Sequence, residues 1–289
     1  MLPFANITII GVGLLGGSLG LAVKARDSAV RVVGVGRRRE SLAAALARGA
    51  IDEASLDAAE AVAAAELVVL ATPVGAFQGH LRTVAAALKP GAVVTDVGST
   101  KSQVVRCAQR LLARRRSDGI AFVGSHPMAG SDRRGPESAR EDLFTGATCI
   151  LTPTAACRGD AVEAVDAFWQ ALAMRTVRMT PAAHDRAVAR ISHLPHALAT
   201  LLMTVPGDDD LRVAASGFRD MTRLAGSDPE MWRDIFATNR KEILAALRRF
   251  QGRLDGLVQL LEAGDDVGIE RLLAKSRARR HEKFPGGKQ

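Results

Sequence analysis

The segment Ile7-Thr8-Ile9-Ile10-Gly11-Val12-Gly13-Leu14-Leu15-Gly16 decides the fold of the N-terminal half of the chain. It joins an apolar run, typical of a buried strand, to a helical pattern over residues 16–25, with glycines at the junction. Such glycines permit a tight turn, and the amides of the helix N-terminus attract a pyrophosphate. A second apolar run follows at residues 30–35, so the order predicts a dinucleotide-binding Rossmann unit. The predicted cofactor contacts are Gly11, Gly13, Leu14, Leu15, Gly16, Thr72, Pro73 and Ser99.

Short apolar runs alternate with helical patterns through the first half of the chain. This alternation predicts a parallel sheet covered on both faces. Strands are predicted at residues 7–12, 30–35, 67–71, 92–97, 120–123, 147–151 and 175–178, and helices at 16–25, 39–47, 75–88, 101–115 and 160–173.

The second half of the chain shows only long helical patterns. Thr180 and Pro181 are the predicted N-cap and first residue of a helix, and Pro195 should kink it. The helices are predicted at residues 182–203, 209–224, 231–261 and 267–279. We therefore expect an α/β Rossmann-type domain over residues 1–179 and an all-α domain over 180–289.

The helical half carries a wide apolar stripe that so short a domain does not easily cover. The stripe comprises Ile243, Leu244, Leu247, Leu254, Leu257 and Leu261. It predicts a homodimer formed through this half, with packing inside the monomer as the alternative.

The amino-acid composition indicates which classes of binding partner to expect. The 289 residues carry a formal net charge of +8, which favours small anionic partners. Aromatic residues make up 4% and do not interleave with the basic runs, so nucleic acid is not expected. No apolar run approaches the ~20 residues of a membrane span, and no leader precedes the first strand, so we expect a cytoplasmic protein. The three cysteines lack metal-ligand spacing, so no metal site is predicted.

The residues after the second strand bear on cofactor choice. A dinucleotide site selective for NAD carries an acidic residue about 20 positions beyond the last glycine. Here that position is Gly36, and Arg37, Arg38 and Arg39 follow. A missing carboxylate and adjacent guanidinium groups favour a 2′-phosphate, so we expect NADP with NAD possible. A solvated basic turn is the alternative.

Four motifs carry polar residues: two lie at the ends of predicted strands, and two lie in the helical half. They are Asp96-Val97-Gly98-Ser99, Gly124-Ser125-His126-Pro127-Met128-Ala129-Gly130, Ser192-His193-Leu194-Pro195-His196, and Asp220-Met221-Thr222-Arg223-Leu224-Ala225 with Ser227-Asp228-Pro229 and Trp232. In this order the chain resembles the prephenate/arogenate (cyclohexadienyl) dehydrogenase family of tyrosine biosynthesis. The resemblance covers nearly the whole chain and implies the oxidative decarboxylation of a cyclohexadienol.

The resemblance also implies roles for single residues. His126 would accept the hydroxyl proton, and Ser99 would form a hydrogen bond near that hydroxyl and the nicotinamide. Arg223 would bind the ring carboxylate, with His196 and Trp232 near the substrate side chain. His126 must be neutral to act, so turnover should fall below a pH of ~6.5 if its pKa is unperturbed.

One departure from the family pattern concerns substrate choice. Many relatives have Thr-Glu where this chain has Ser131 and Asp132. A carboxylate near the substrate side chain favours an ammonium group, and hence arogenate or dual use.

His184 and His193 are expected to be structural or supporting residues, because the predicted helix that carries them can bury either side chain.

Two other interpretations stay open at this point. A β-hydroxyacid dehydrogenase or imine reductase has a similar two-domain architecture, and Lys241 is the candidate for the lysine that such hydroxyacid enzymes use. A non-catalytic dinucleotide-sensing or nucleic-acid-binding protein would instead use the basic tail as its contact surface.

Overall fold

The computed structural model describes residues 1–131 and 133–285. By compactness the chain divides into a first unit, Met1–Arg240, and a second unit that begins at Lys241. The strands of the described residues all lie before residue 179, and helices follow from Pro181. The domain boundary between residues 179 and 180 stays a prediction.

The first unit is built on a sheet of eight strands within the described residues, in the order β3-β2-β1-β4-β5-β6-β7-β8. Strands β1 to β6 run parallel, β7 runs antiparallel to β6, and β8 runs parallel to β7. The strands are β1 Asn6–Ile10, β2 Arg31–Val35, β3 Glu53–Ser55, β4 Leu67–Leu70, β5 Val93–Asp96, β6 Ala121–Pro127, β7 Thr148–Thr152 and β8 Arg175–Arg178.

Six of the described helices lie between the first and the last strand. They are α1 Leu14–Arg26, α2 Arg39–Ala47, α3 Ala58–Val62, α4 Phe77–Val84, α5 Ser102–Leu111 and α6 Gly159–Ala171. Short 3₁₀ turns lie at Val74–Ala76, Ala113–Asp118 and Pro136–Ser138.

The remaining helices follow the last strand. They are α7 Pro181–Val188, α8 Leu194–Leu202, α9 Asp208–Leu211, α10 Ser216–Thr222, α11 Pro229–Thr238, α12 Arg240–Glu262 and α13 Asp266–Lys283. A π-helical turn, Ala189–His193, joins α7 to α8, and a 3₁₀ turn, Arg223–Gly226, follows α10. None of the described helices has both the length and the apolar character that crossing a bilayer requires.

Two apolar cores cover the two faces of the sheet. Leu67 and Val69 of β4 belong to one core, and Val68 and Leu70 belong to the other. Side chains alternate across a strand, so the two sets face opposite sides of the sheet. The predicted Rossmann-type fold with both faces covered is confirmed.

The strand order reverses between β1 and β4. At such a switch point the connections leave towards opposite faces and open a crevice at the carboxyl ends of the strands. Gly11 follows β1, and Thr72 lies just beyond β4. The crevice therefore lies next to the glycine segment that decides the fold.

The expectation of a wholly parallel sheet was wrong at β7, and β6 is longer than predicted. The apolar run ends at Val123, but the strand continues to Pro127 because its last residues pair with β7. His126 lies opposite Ile150 in this antiparallel ladder. It is thus held inside a strand rather than in the loop beyond it.

Three predicted long helices are interrupted. Thr180 caps α7 by accepting a hydrogen bond from the amide of Ala183, as expected. The chain then widens into the π-helical turn just before Pro195, because proline cannot donate the amide hydrogen bond that continues an α-helix. Residues 231–261 form α11 and α12, separated at the buried Asn239, and residues 209–224 form α9 and α10.

Candidate active site

The glycine turn after β1 has the geometry of a dinucleotide site. Gly11 has φ +104°, and a Cβ there would lie 2.7 Å from Cγ2 of Thr72. A Cβ on Gly16 would lie 1.9 Å from the carbonyl oxygen of Gly11, so the helix packs directly on the turn. At Gly13 a Cβ would meet no atom of the described chain within 4 Å. The space beside Gly13, at the N-terminus of α1, is what a pyrophosphate requires.

Thr72 provides a second indication of a ligand. Its Oγ1 is buried and has no hydrogen-bond partner within residues 1–131 and 133–285. Buried hydroxyls are normally hydrogen-bonded, and this one lies against the glycine turn. Leu14 and Leu15 begin α1, and Pro73 is exposed beside Thr72. These residues fit a bound dinucleotide.

Arg37 and Arg38 are exposed directly after β2. Arg38 is the N-cap residue of α2, and its side chain makes no capping hydrogen bond. His80 of α4 is half-buried nearby, and burial together with the charge of Arg37 lowers its pKa. The end of β2 is therefore positively charged, without a carboxylate at Gly36.

The loop after β5 brings Ser99 to the same edge of the sheet. Asp96, the last residue of β5, accepts a hydrogen bond from the amide of Gly98 at 2.9 Å. A Cβ on Gly98 would lie 2.8 Å from both Oδ2 of Asp96 and the ring of Phe77. The loop is therefore tightly packed at Gly98, and Ser99, the next residue, is half-buried.

His126 lies near the end of the neighbouring strand, β6, and is 9% exposed. Its Nδ1 lies 2.8 Å from Nε2 of His184, and the ring centroids are 5.0 Å apart. Burial, followed by the charges of His184, Lys101 and His193, lowers the pKa of His126 well below its usual range. The imidazole is therefore neutral at physiological pH.

His184 is held in turn by Asp185. Its Nδ1 lies 2.9 Å from Oδ1 of Asp185. Oδ1 also accepts the amide of Lys101, and Oδ2 accepts the amide of Ser102, at 2.8 Å each. These amides begin α5, and the positive end of a helix stabilises a carboxylate. Burial alone would raise the pKa of Asp185, but the hydrogen bonds from His184, Ser102 and Lys101 lower it. Asp185 is thus ionised.

The hydrogen bonds assign the tautomers of both histidines. An ionised carboxylate only accepts, so Nδ1 of His184 donates to Asp185 and its Nε2 accepts. Nδ1 of His126 must then donate to His184. The lone pair of His126 is left on Nε2, so this nitrogen is able to accept a proton.

The helical part of the first unit adds the predicted substrate residues. His196 of α8 stacks on Trp232 of α11, with ring centroids 3.5 Å apart and planes 7° from parallel. Nδ1 of His196 is buried without a partner in the described chain. Arg223 is exposed in the 3₁₀ turn Arg223–Gly226, which packs against α8.

The loop after β6 lies beside α11. Arg134 forms an ion pair with Asp228 at 2.7 Å, and Asp228 caps α11 by accepting the amides of Glu230 and Met231. Ser131 is exposed and accepts a hydrogen bond from the amide of Arg133. Asp132, the other predicted contact of this loop, lies outside the described residues.

The connections behind His126 were not predicted from the sequence. His184 was expected only to be structural or supporting, and no role was given to Asp185, Lys101 or Asn239. Asn239 donates to the carbonyl oxygen of Asp185 and contacts His193, so it holds α7 against the end of α11. The adjacent pair His184-Asp185, just after the helix cap at Thr180, was the available signal.

Comparisons with known proteins fit this geometry. The family model described as "Prephenate dehydrogenase, nucleotide-binding domain" matches residues 19–178, and "Prephenate dehydrogenase, dimerization domain" matches residues 180–275. The chain belongs to the prephenate dehydrogenase family. This membership decides against the β-hydroxyacid dehydrogenase, imine reductase and non-catalytic interpretations.

Members of the family resemble the chain over most of its length. The prephenate dehydrogenase of Bacillus subtilis (strain 168) is 36% identical over 273 residues, which is 92% of this chain and 72% of that protein. The Aquifex aeolicus prephenate dehydrogenase, solved with hydroxyphenyl propionate and NAD+, is 30% identical with a TM-score of 0.88, covering 96% of this chain and 97% of that one. Synechocystis arogenate dehydrogenase is 30% identical with a TM-score of 0.83, and the match covers 96% of this chain and 100% of that one.

Proposed function

We propose that this protein catalyses the NAD(P)-dependent oxidative decarboxylation of prephenate, arogenate or both, giving 4-hydroxyphenylpyruvate or tyrosine. The observation that carries the proposal is the chain of hydrogen bonds from Asp185 through His184 to His126. It lies at the carboxyl edge of the sheet, where the glycine turn and the Ser99 loop also lie. Family membership supports the reaction class.

His126 handles the proton in this reaction. Its Nε2 accepts the proton of the substrate hydroxyl as the hydride leaves the same carbon. A nicotinamide, when bound, supplies the hydride acceptor. Loss of carbon dioxide from the opposite ring carbon leaves the electron pair of the broken bond in the ring, which becomes aromatic. The proton returns from His126 to the ring oxygen, so no proton is gained or lost overall.

The buried neighbours of His126 suit this role. The transient imidazolium is stabilised through His184 by the ionised Asp185. Ser99, on the adjacent loop, forms a hydrogen bond near the reacting hydroxyl. Because aromatisation drives the reaction, the main tasks of the protein are orientation and a correctly placed proton acceptor.

Arg223, His196 and Trp232 form the proposed substrate-binding group. The guanidinium of Arg223 is exposed and suited to a carboxylate, which it can bind through two parallel hydrogen bonds. The unpartnered Nδ1 of His196 is a buried polar atom that a substrate carboxylate or carbonyl would satisfy. Trp232 fixes the orientation of that imidazole by stacking.

The sequence after β6 supports a proposal about which of the two substrates is used. Ser131 and Asp132 follow the strand that carries His126, and a carboxylate at position 132 favours the ammonium of arogenate. We therefore propose arogenate or dual use.

NADP is the proposed cofactor, with NAD possible. Support comes from the exposed Arg37 and Arg38 and from the absence of a carboxylate at Gly36. The Aquifex aeolicus relative was solved with NAD+, so NAD is the direct competitor.

A homodimer is proposed through the helical half. The dimerization-domain model matches residues 180–275. Within the second unit, the side chains of Leu244, Leu254, Leu261 and Leu273 are exposed, which a partner subunit would cover.

Initial rates with prephenate and arogenate, each combined with NAD and NADP, test the proposal. Reduced nicotinamide is measured by absorbance, and carbon dioxide is trapped and counted in parallel. We expect equal amounts of the two products and the highest rate with arogenate and NADP. Absence of reduced nicotinamide in all four combinations, from protein that binds the cofactor, would refute the proposed activity.

A further inference from the structure

A fully buried ion pair lies behind the proposed reaction centre. Asp96, the last residue of β5, and Lys101, which precedes α5, both have 0% side-chain exposure, and Nζ of Lys101 contacts Oδ2 of Asp96. Burying two charges costs free energy that their attraction often only offsets, so such a pair is weak evidence for a stabilising role. Its position suggests another purpose.

The pair contacts the neighbours of both proposed catalytic residues. Oδ2 of Asp96 accepts the amide of Gly98, next to Ser99, at 2.9 Å. Oδ1 accepts the amide of Ser125, next to His126, at 3.1 Å. One carboxylate thus ties the Ser99 loop to the strand of His126.

Lys101 adds connections to two further elements. Its amide donates to Asp185, the anchor of His184. Its aliphatic stem passes the backbone of β6, where a Cβ on Gly124 would lie 3.3 Å from Cδ of Lys101. The ammonium is therefore fixed in position relative to the two histidines.

His126 is surrounded by several titratable groups. They are His184 and Asp185 on α7, His193 in the π-helical turn, Asp96 on β5, Lys101 before α5, and Cys149 on β7. Burial, then His184 and then Lys101 lower the pKa of His126. The pKa of His184 is lowered chiefly by burial, Asp185 raises it through their hydrogen bond, Lys101 lowers it and Asp96 raises it.

We propose that Asp96 and Lys101 form a positioning pair for the proposed reaction: Asp96 fixes Ser99 relative to His126, and Lys101, held by Asp96, places a positive charge behind the two histidines. The inference rests on the proposed function for its catalytic consequence. The two members have separable effects, one on geometry and one on charge.

Three variants separate these effects: Lys101→Met, Asp96→Asn, and the two combined. The control is Lys24→Met, which removes a lysine paired with Asp52 at 2.8 Å, outside the proposed active-site residues.

The first measurement is the NMR titration of the six histidines with labelled imidazoles, in which His126→Asn identifies the His126 signal. The second measurement is the pH profile of kcat/KM.

Lys101→Met should raise the midpoint of the His126 titration by about one pH unit, because a nearby positive charge disfavours the imidazolium. The acid limb of kcat/KM should move upwards with it. Asp96→Asn should lower kcat about 10- to 100-fold through misplacement, without an upward shift of either midpoint. Lys24→Met should match the parent protein.

The double variant leaves no unpaired buried charge and serves if Lys101→Met does not fold. Its His126 midpoint should still rise, by less than in Lys101→Met. An unchanged midpoint in folded variants lacking Lys101 would overturn the electrostatic role, and unchanged kcat in folded Asp96→Asn would overturn the positioning role. The titration needs no turnover, so it stays informative even if the proposed activity is refuted.

Discussion

Nε2 of His184 lies 2.8 Å from Nδ1 of His126, and this hydrogen bond determines which nitrogen of His126 can take a proton. Because Asp185 fixes the tautomer of His184, the free lone pair of His126 lies on Nε2. The arrangement resembles a carboxylate–histidine pair extended by one imidazole, and it makes Asp185 important although another side chain separates it from His126.

Asp185→Asn should therefore lower kcat about tenfold or more while leaving KM for the substrate nearly unchanged. An amide can donate to His184 and reverse its tautomer, which would leave His126 with the wrong nitrogen protonated. Steady-state kinetics across pH 6–9 measure the effect. Asp166→Asn is a matched control, since Asp166 is a buried aspartate that pairs with Arg178 on the far edge of the sheet. Equal kinetics in the two variants would contradict the role of Asp185.

The acid limb of kcat/KM should lie well below pH 6.5. The pKa of His126 is lowered by burial, and a lowered pKa keeps the imidazole neutral, and able to accept a proton, at more acidic pH. The measurement is kcat/KM from pH 4.5 to 8 with enzyme-free blanks at each pH. A limb centred at or above 6.5 would contradict this account, and would agree with the value expected for an unperturbed histidine.

Replacing both Arg37 and Arg38 by serine should lower kcat/KM for NADP by about tenfold or more and leave that for NAD unchanged. Each guanidinium contact to a phosphate is a charge-assisted hydrogen bond, and NAD lacks the 2′-phosphate. Arg114→Ser with Arg116→Ser removes the same charge from another exposed pair and controls for general electrostatics. Equal losses with both cofactors, or no loss with NADP, would contradict the proposed specificity.

Much of the fold was predictable because buried parallel strands are continuous apolar runs. Seven strands were expected near their observed positions, and β3 was missed. Its three residues, Glu53–Ser55, show no apolar pattern and form a strand only by pairing with β2 at the edge of the sheet. The direction of β7 depends on the path of residues 128–147, which carry no helical pattern that would indicate a crossover.

The candidate site was predictable residue by residue but not as a network. His126 and Ser99 follow apolar runs, so their position at the edge of the sheet can be inferred from the sequence. The contact between His126 and His184 joins residues 58 positions apart, and nothing local to either one specifies it. The same holds for Asn239, whose role depends on how α11 ends against α7.

The buried histidines should make the folded protein sensitive to acid. The pKa of His193 falls to about 4, chiefly through burial, whereas in the unfolded chain it is near ~6.5. Below pH 6.5 the imidazole of His193 takes up a proton in the unfolded chain but not in the folded chain. The contribution of His193 to the free energy of unfolding is therefore complete above pH 6.5 and is lost as the pH falls towards 4. The loss amounts to about 2 kcal/mol between pH 7 and pH 5.

Urea unfolding at pH 7 and pH 5, at one protein concentration, measures that sensitivity. His193→Gln should show a smaller fall in the free energy of unfolding than the parent protein. His281→Gln, at an exposed position on α13, should behave like the parent. An identical fall in His193→Gln and the parent would contradict the assignment.

The most direct test of the account is turnover by His126→Asn in the substrate–cofactor combination that the parent protein uses best. Asparagine keeps a donor for His184 but has no basic nitrogen, so we predict a loss in kcat of about 100-fold or more with unchanged Kd for the cofactor. Circular dichroism and cofactor titration of the same preparation establish that the variant is folded. Turnover close to that of the parent protein would contradict the assignment of His126 as the proton acceptor.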